Sequence, residues 1–215
     1  MANFLVTRPN HDETTDALAQ WAGQIIKLAK EKQFTVFDLF SNKATRKMFL
    51  SYVHKHPILI FLNGHGNSDV ITGQNNEPLL SMGDEIHELV QSILYARSCE
   101  AGRTLGPMLT MKGLRAFIGY KRKFFFFRSS DHTTHPLEDP YVKQFLEPSN
   151  RVVSTLLKGH SALEAYQRSQ TEMRRNFQKM LISSQTFESR FMAPYLWSNM
   201  TSQVIFGDKD AKVSS

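Results

Sequence analysis

Two unbroken apolar runs constrain this chain more than any other feature: Ile58-Leu59-Ile60-Phe61-Leu62 and Ile93-Leu94-Tyr95-Ala96. A strand with one wet face alternates apolar and polar residues, whereas a strand covered on both faces reads as a continuous apolar run. Further strand-like runs lie at residues 3–6, 35–39 and 114–120. Between them fall segments with helical periodicity. In residues 14–32 the apolar positions Leu18, Trp21, Ala22, Ile25, Leu28 and Ala29 share one face. Strand–helix alternation of this kind implies a mostly parallel central sheet with helices on both sides, a three-layer α-β-α sandwich.

The remaining elements follow from local signals. Ser41 can cap a helix carrying Met48, Phe49, Tyr52 and Val53, and residues 69–81 read as a small hairpin around Gly73-Gln74-Asn75-Asn76. Short helices are expected over 84–91 and 103–111. A longer one is expected over 139–158, interrupted at Pro148. Ser161 and Glu164 have capping-box spacing and open a helix to about Leu181. Residues 197–206 read as a closing edge strand and 209–215 as a tail, so residues 1–208 are expected to be one domain.

Composition excludes several classes. A single cysteine rules out an internal disulfide framework and suits a reducing, cytoplasmic setting. No apolar run approaches a membrane span and no basic segment followed by an apolar one opens the sequence, so a soluble, intracellular protein is expected. A net charge of +6 over 215 residues permits acidic partners without demanding them.

Chemistry concentrates where the two apolar runs end. The first finishes in Asn63-Gly64-His65-Gly66-Asn67, the second in Arg97-Ser98-Cys99-Glu100-Ala101-Gly102. The carboxyl edge of parallel strands is where open α/β sheets hold their sites. If the runs are neighbouring strands, His65 and Cys99 open on the same edge, and a cysteine nucleophile needs an imidazole near it in space. A helix beginning just after Cys99 would favour the thiolate through its N-terminal partial charge. Glycines on both sides of His65 permit close backbone approach and leave the Gly66 N–H able to face a ligand.

An apolar strand ending in His-Gly, followed by one ending in a small residue and Cys, resembles the caspase-like (clan CD) cysteine peptidases, which include caspases, metacaspases, gingipains and bacterial CHAT domains. Residues 98–102 are similar to the Ser-Ala-Cys-Glu-Thr-Gly turn of CHAT domains, with Ser98 in place of Ala. Pro194-Tyr195-Leu196-Trp197 and Val204-Ile205-Phe206-Gly207-Asp208 are similar to the segments that close those domains. The resemblance implies a caspase-like fold and a cysteine endopeptidase needing no cofactor. Cys99 is then the nucleophile, His65 the general acid and base, and the Gly66 and Cys99 N–H groups the oxyanion hole. It also implies a protein or peptide substrate and control by a separate partner protein, since CHAT domains are commonly switched by attached modules.

Strand alternation puts Arg97 on the same side as Cys99. Two readings follow. Arg97 lines the primary pocket and selects an acidic residue, or it is neutralised by Asp69 or Asp131 and the pocket takes its character from elsewhere, such as Phe124-Phe125-Phe126-Phe127. The basic and aromatic stretch 121–128 also admits a nucleic-acid surface, but four adjacent Phe cannot all stack on bases, so a buried wall is favoured. His132 and His135 lack supporting ligand spacing, and no metal is expected. Two rival functions remain. One is a catalytically idle caspase-like interaction module. The other is a nucleotide- or nucleic-acid-binding α/β domain, although the loop around His65 lacks the glycine spacing and lysine of a phosphate loop.

Overall fold

The computed structural model describes residues 2–85, 87–132, 135–182 and 187–213. The elements run β1 (Asn3–Arg8), α1 (Glu13–Glu31), β2 (Thr35–Phe40), α2 (Arg46–Val53), β3 (Leu59–Asn63), β4 (Val70–Thr72), β5 (Pro78–Ser81), β6 (Ile93–Arg97), α3 (Leu105–Met111), β7 (Ala116–Tyr120), α4 (Pro140–Leu156), α5 (Ala162–Ile182), α6 (Phe187–Ser202) and β8 (Gln203–Gly207). Six strands form the central sheet in the order β2-β1-β3-β6-β7-β8, and only β8, at one edge, is antiparallel. β4 and β5 form a separate antiparallel hairpin.

The apolar runs divide between two cores by simple alternation. Phe4, Val6, Leu59, Phe61, Ile93, Tyr95, Ile118 and Tyr120 face a layer containing α1 and α4. Leu5, Ile60, Leu62, Leu94, Ala96 and Phe117 face the opposite layer, with α2, α3 and the hairpin. Every residue of β3, β6 and β7 is buried, which explains their lack of polar alternation. Each such Leu, Ile or Phe contributes about 1.5–3 kcal/mol relative to exposure.

Local details differ from the sequence reading at several points, each with a physical cause. Helix α2 is capped by Thr45, whose hydroxyl accepts the Met48 N–H, rather than by Ser41, which starts a 3₁₀ turn. Among the described residues of 84–91, only His87–Leu89 form a helical turn, of the 3₁₀ type, where a short helix is expected. Pro148 does not interrupt α4. The Gln144 carbonyl, four residues before it and deprived of its helical donor, accepts the Asn176 side-chain amide from α5 at 3.0 Å. The capping box of α5 forms as expected, with Ser161 N donating to Glu164 and Glu164 N to the Ser161 hydroxyl. The chain stays helical through Pro194 and Trp197, so the edge strand starts at Gln203 rather than Trp197. Residues 209–213 are not a free tail: Ala211 and Val213 are buried, and the Ala162 N–H donates to Ala211 O.

Candidate active site

The β3 and β6 strands pair in parallel, with Leu59 opposite Ile93 and Asn63 opposite Arg97. Two residues beyond the last pair come His65 and Cys99, so the register carries both to the same sheet edge. The two turns are also fastened to each other. The Ser98 hydroxyl donates to the His65 carbonyl at 3.0 Å, and that carbonyl also accepts the Thr72 N–H and hydroxyl from β4. Ser98 therefore ties the cysteine turn to the histidine turn. Gly66 fits only as glycine, since a Cβ there would lie 2.3 Å from the Ser98 hydroxyl and 2.5 Å from Val70 O. Among the described residues, neither the Gly66 nor the Cys99 N–H donates to a protein acceptor. Both remain available to donate to a ligand.

A third side chain joins from the first loop of the fold. Asp12 caps α1, its Oδ1 accepting the Thr15 N–H at 2.7 Å, and its Oδ2 meets His65 Nε2 at 2.6 Å. Burial opposes the Asp12 charge, but hydrogen bonds from Thr15 N–H, His65 and the Thr15 hydroxyl outweigh it and hold the carboxyl at about 2. An ionised carboxylate on Nε2 fixes the imidazole so that Nε2 carries a proton and Nδ1 is left for proton exchange. Beside this pair sits His11, edge-on to His65 with ring centroids 5.9 Å apart.

Cys99 is partly buried. Burial pushes its thiol above the ordinary range and Glu100 adds to the shift, while the Phe124 N–H and Lys123 act against it. The helix expected just after Cys99 begins only at Leu105, and burial raises the thiol, so the expectation of a position that favours the thiolate is corrected. Glu100, directly after the cysteine, has φ 56°, a left-handed conformation uncommon for a residue with a side chain. It turns the chain sharply, and Gly102 then packs with its N–H on Tyr120 O.

Arg97 does not line a pocket. It is fully buried, and its donors reach Asn63 Oδ1 (2.8 Å), Asn150 Oδ1 (3.0 Å) and Leu18 O (2.8 Å). Its guanidinium also lies over the Phe61 ring. The acid-reading role is thereby corrected: no atom of Arg97 is open to a substrate. Asp69 and Asp131 are both exposed, and neither is among the partners of Arg97; neutral amides and a carbonyl compensate the cation instead. Residues 121–128 form an extended strap rather than a strand. Asn199 holds Phe125 through both its N–H and carbonyl, and the rings of Phe124 and Phe127 are half-buried against Tyr120, Phe145 and Tyr195. The rings are committed to one another, as a buried wall requires.

Sequence reasoning missed Asp12, His11 and Asn63. The available signal for the first two was position: the β1–α1 loop opens on the same sheet edge as the turns after β3 and β6.

No protein-family model and no curated protein matches the chain. Among solved structures, the Arg-specific cysteine proteinase gingipain R (RgpB) aligns over 99% of this chain with a TM-score of 0.66 and 11% identity. A complex of the Porphyromonas gingivalis RgpB pro- and mature domains aligns over 99% with a TM-score of 0.63, also at 11% identity. The chain spans about half the length of each of those chains, 47% and 48%. At that identity the likeness concerns architecture, and on it the chain has a caspase-like α-β-α fold.

Proposed function

We propose that the chain is a cysteine endopeptidase working through His65 and Cys99. The observation that carries this reading is the parallel register that brings the two turns to one edge, with Asp12 seated on His65 Nε2. The thiol is protonated at rest, so the cycle begins when His65 Nδ1 takes the Cys99 proton as the sulfur attacks the scissile carbonyl. Asp12 stabilises the imidazolium through Nε2. The Gly66 and Cys99 N–H groups hold the oxyanion. Collapse of the tetrahedral intermediate breaks the C–N bond, and His65 returns its proton to the leaving amine. Water, deprotonated by His65, then hydrolyses the thioester and restores the thiol.

On this reading the chain acts as one cytoplasmic peptidase domain, residues 209–213 packing with it rather than forming a tail, and its control comes from a separate partner protein. A resting thiol and the pro-domain complex solved for RgpB support such control. No helix among the described residues is long and apolar enough to cross a membrane. Cleavage of a peptide library by wild type, Cys99→Ala and His65→Ala tests the proposal. Loss of cleavage in both variants with folding retained is expected; cleavage by purified Cys99→Ala would overturn it.

A further inference from the structure

His11 is the anomaly of the site. Its side chain is only 11% exposed, and its Nδ1 and Nε2 atoms are both buried without a hydrogen-bond partner. A buried imidazole left unpaired costs about 1–3 kcal/mol. The Asp12 Oδ2 atom lies 3.6 Å from His11 Nε2, beyond hydrogen-bond reach. That same oxygen meets His65 Nε2 at 2.6 Å, and one ligand atom from each of the three residues lies within 4.8 Å of the others.

We propose that His11, Asp12 and His65 form a binding site for a divalent transition metal of the zinc class, and that its occupancy switches the peptidase off. Two imidazoles and one carboxylate are the ligand set of an open tetrahedral site with one position left for water. At zinc bond lengths the ligand atoms of a tetrahedron lie about 3.3 Å apart. The His11–Asp12 separation is already near that value, and the His65–Asp12 contact needs to open by only about 0.7 Å. The rings of His11 and His65 stand edge-on at 72° rather than stacked, and their nitrogens, within 4.8 Å of each other, need to draw together toward the tetrahedral separation.

The inhibition follows from proton accounting and rests on the peptidase reading, whereas the site itself does not. At rest the Nε2–H of His65 is held by Asp12. A metal on Nε2 replaces that hydrogen, and the remaining ring proton sits on Nδ1. His65 then has no free nitrogen to accept the Cys99 proton. A metal-bound imidazole must be neutral, so any imidazolium at the site releases a proton on binding.

The site is tested in Cys99→Ala, which removes the thiol as a competing ligand and makes the result independent of activity. Zinc chloride titrated calorimetrically into that protein is expected to bind one ion per chain. Adding His11→Gln, which preserves side-chain bulk, is expected to weaken that ion at least tenfold. Cobalt(II) in place of zinc should give the strong visible absorption of tetrahedral coordination, lost with His11→Gln. Binding that is absent, or indifferent to His11→Gln while circular dichroism shows the variant folded, would overturn the site. In the wild type, zinc should abolish cleavage and a chelator restore it, with the half-inhibiting concentration raised at least tenfold by His11→Gln. His11-dependent zinc binding with unchanged cleavage would overturn the switch. A wild type that cleaves nothing would end the peptidase reading and leave the binding result standing.

Discussion

Asn63 and Arg97 face each other across β3 and β6, the Arg97 Nε donating to Asn63 Oδ1 at 2.8 Å, one pleat beneath His65 and Cys99. Asn63 also grips β1, its side-chain amide donating to Thr7 O and its N–H to the Thr7 hydroxyl. Arg97 reaches Leu18 O on α1, the helix that Asp12 caps. The elements carrying Asp12, His65 and Cys99 are thus joined by one buried polar layer.

Arg97→Met should therefore weaken the fold and misplace the site. Burial lowers the guanidinium to about 10 while the nearby Tyr95 and Tyr120 act to raise it, so the cation is retained at neutral pH. Removing it leaves the Asn63 and Asn150 side-chain oxygens buried and unpaired, while Leu18 O keeps its helical donor, a loss of about 2–4 kcal/mol in urea unfolding. Because the side chain is sealed, Arg97→Lys should lower kcat without altering which residue is preferred before the scissile bond. A changed preference in a peptide panel would show that Arg97 touches substrate.

Asp12→Asn separates orientation from stability. Asparagine remains a good N-cap for α1, so the melting temperature should change little. At the His65 side, however, the amide can present a donor where the carboxylate accepted, driving the imidazole toward the wrong tautomer. A fall of about 10²–10⁴ in kcat/KM is expected, by analogy with the same change in a serine-peptidase triad. Activity within threefold of wild type would remove Asp12 from the mechanism.

The visibility of these features in the sequence follows their physics. His65 and Cys99 were legible because doubly covered parallel strands have to be unbroken apolar runs, and the polar turns that end them are conspicuous. Asp12 was hidden because its partner is 53 residues away and its local role as a helix cap already accounts for it. Alternation assigns Arg97 to one face of β6. Whether that face is open or sealed depends on α1 and α4, whose Leu18 and Asn150 reach it only in three dimensions. Pro148 misled for a similar reason: the acceptor it frees is satisfied by Asn176 on another helix.

Gly66→Ala tests the junction of the two turns. Its Cβ would collide with Val70 O, a backbone atom that cannot swing aside, as well as with the Ser98 hydroxyl. Relief requires moving the Gly66 N–H, so cleavage should fall at least tenfold, about 1.4 kcal/mol or more of lost transition-state stabilisation. Ser98→Ala removes one donor to His65 O, which keeps its two from Thr72, so a milder loss is expected. Equal kcat/KM in Gly66→Ala and wild type would exclude this N–H from the oxyanion hole.

The last prediction concerns the thiol. Burial is the main reason Cys99 is raised, Glu100 adds a like charge to the thiolate, and Lys123 opposes both. Only the thiolate reacts with iodoacetamide, so the alkylation rate follows ionisation. The wild-type rate should still be climbing at a pH where a free cysteine has levelled off. Glu100→Gln removes the repelling charge, lowers the thiol pKa and should speed alkylation at pH 8; Lys123→Ala removes the attracting charge and should slow it. The two variants test the sign of each effect in one measurement, without depending on any substrate. Alkylation that levels off at the pH of a free thiol, or variants that shift the profile in the same direction, would show that the electrostatics around Cys99 are not those of these two residues.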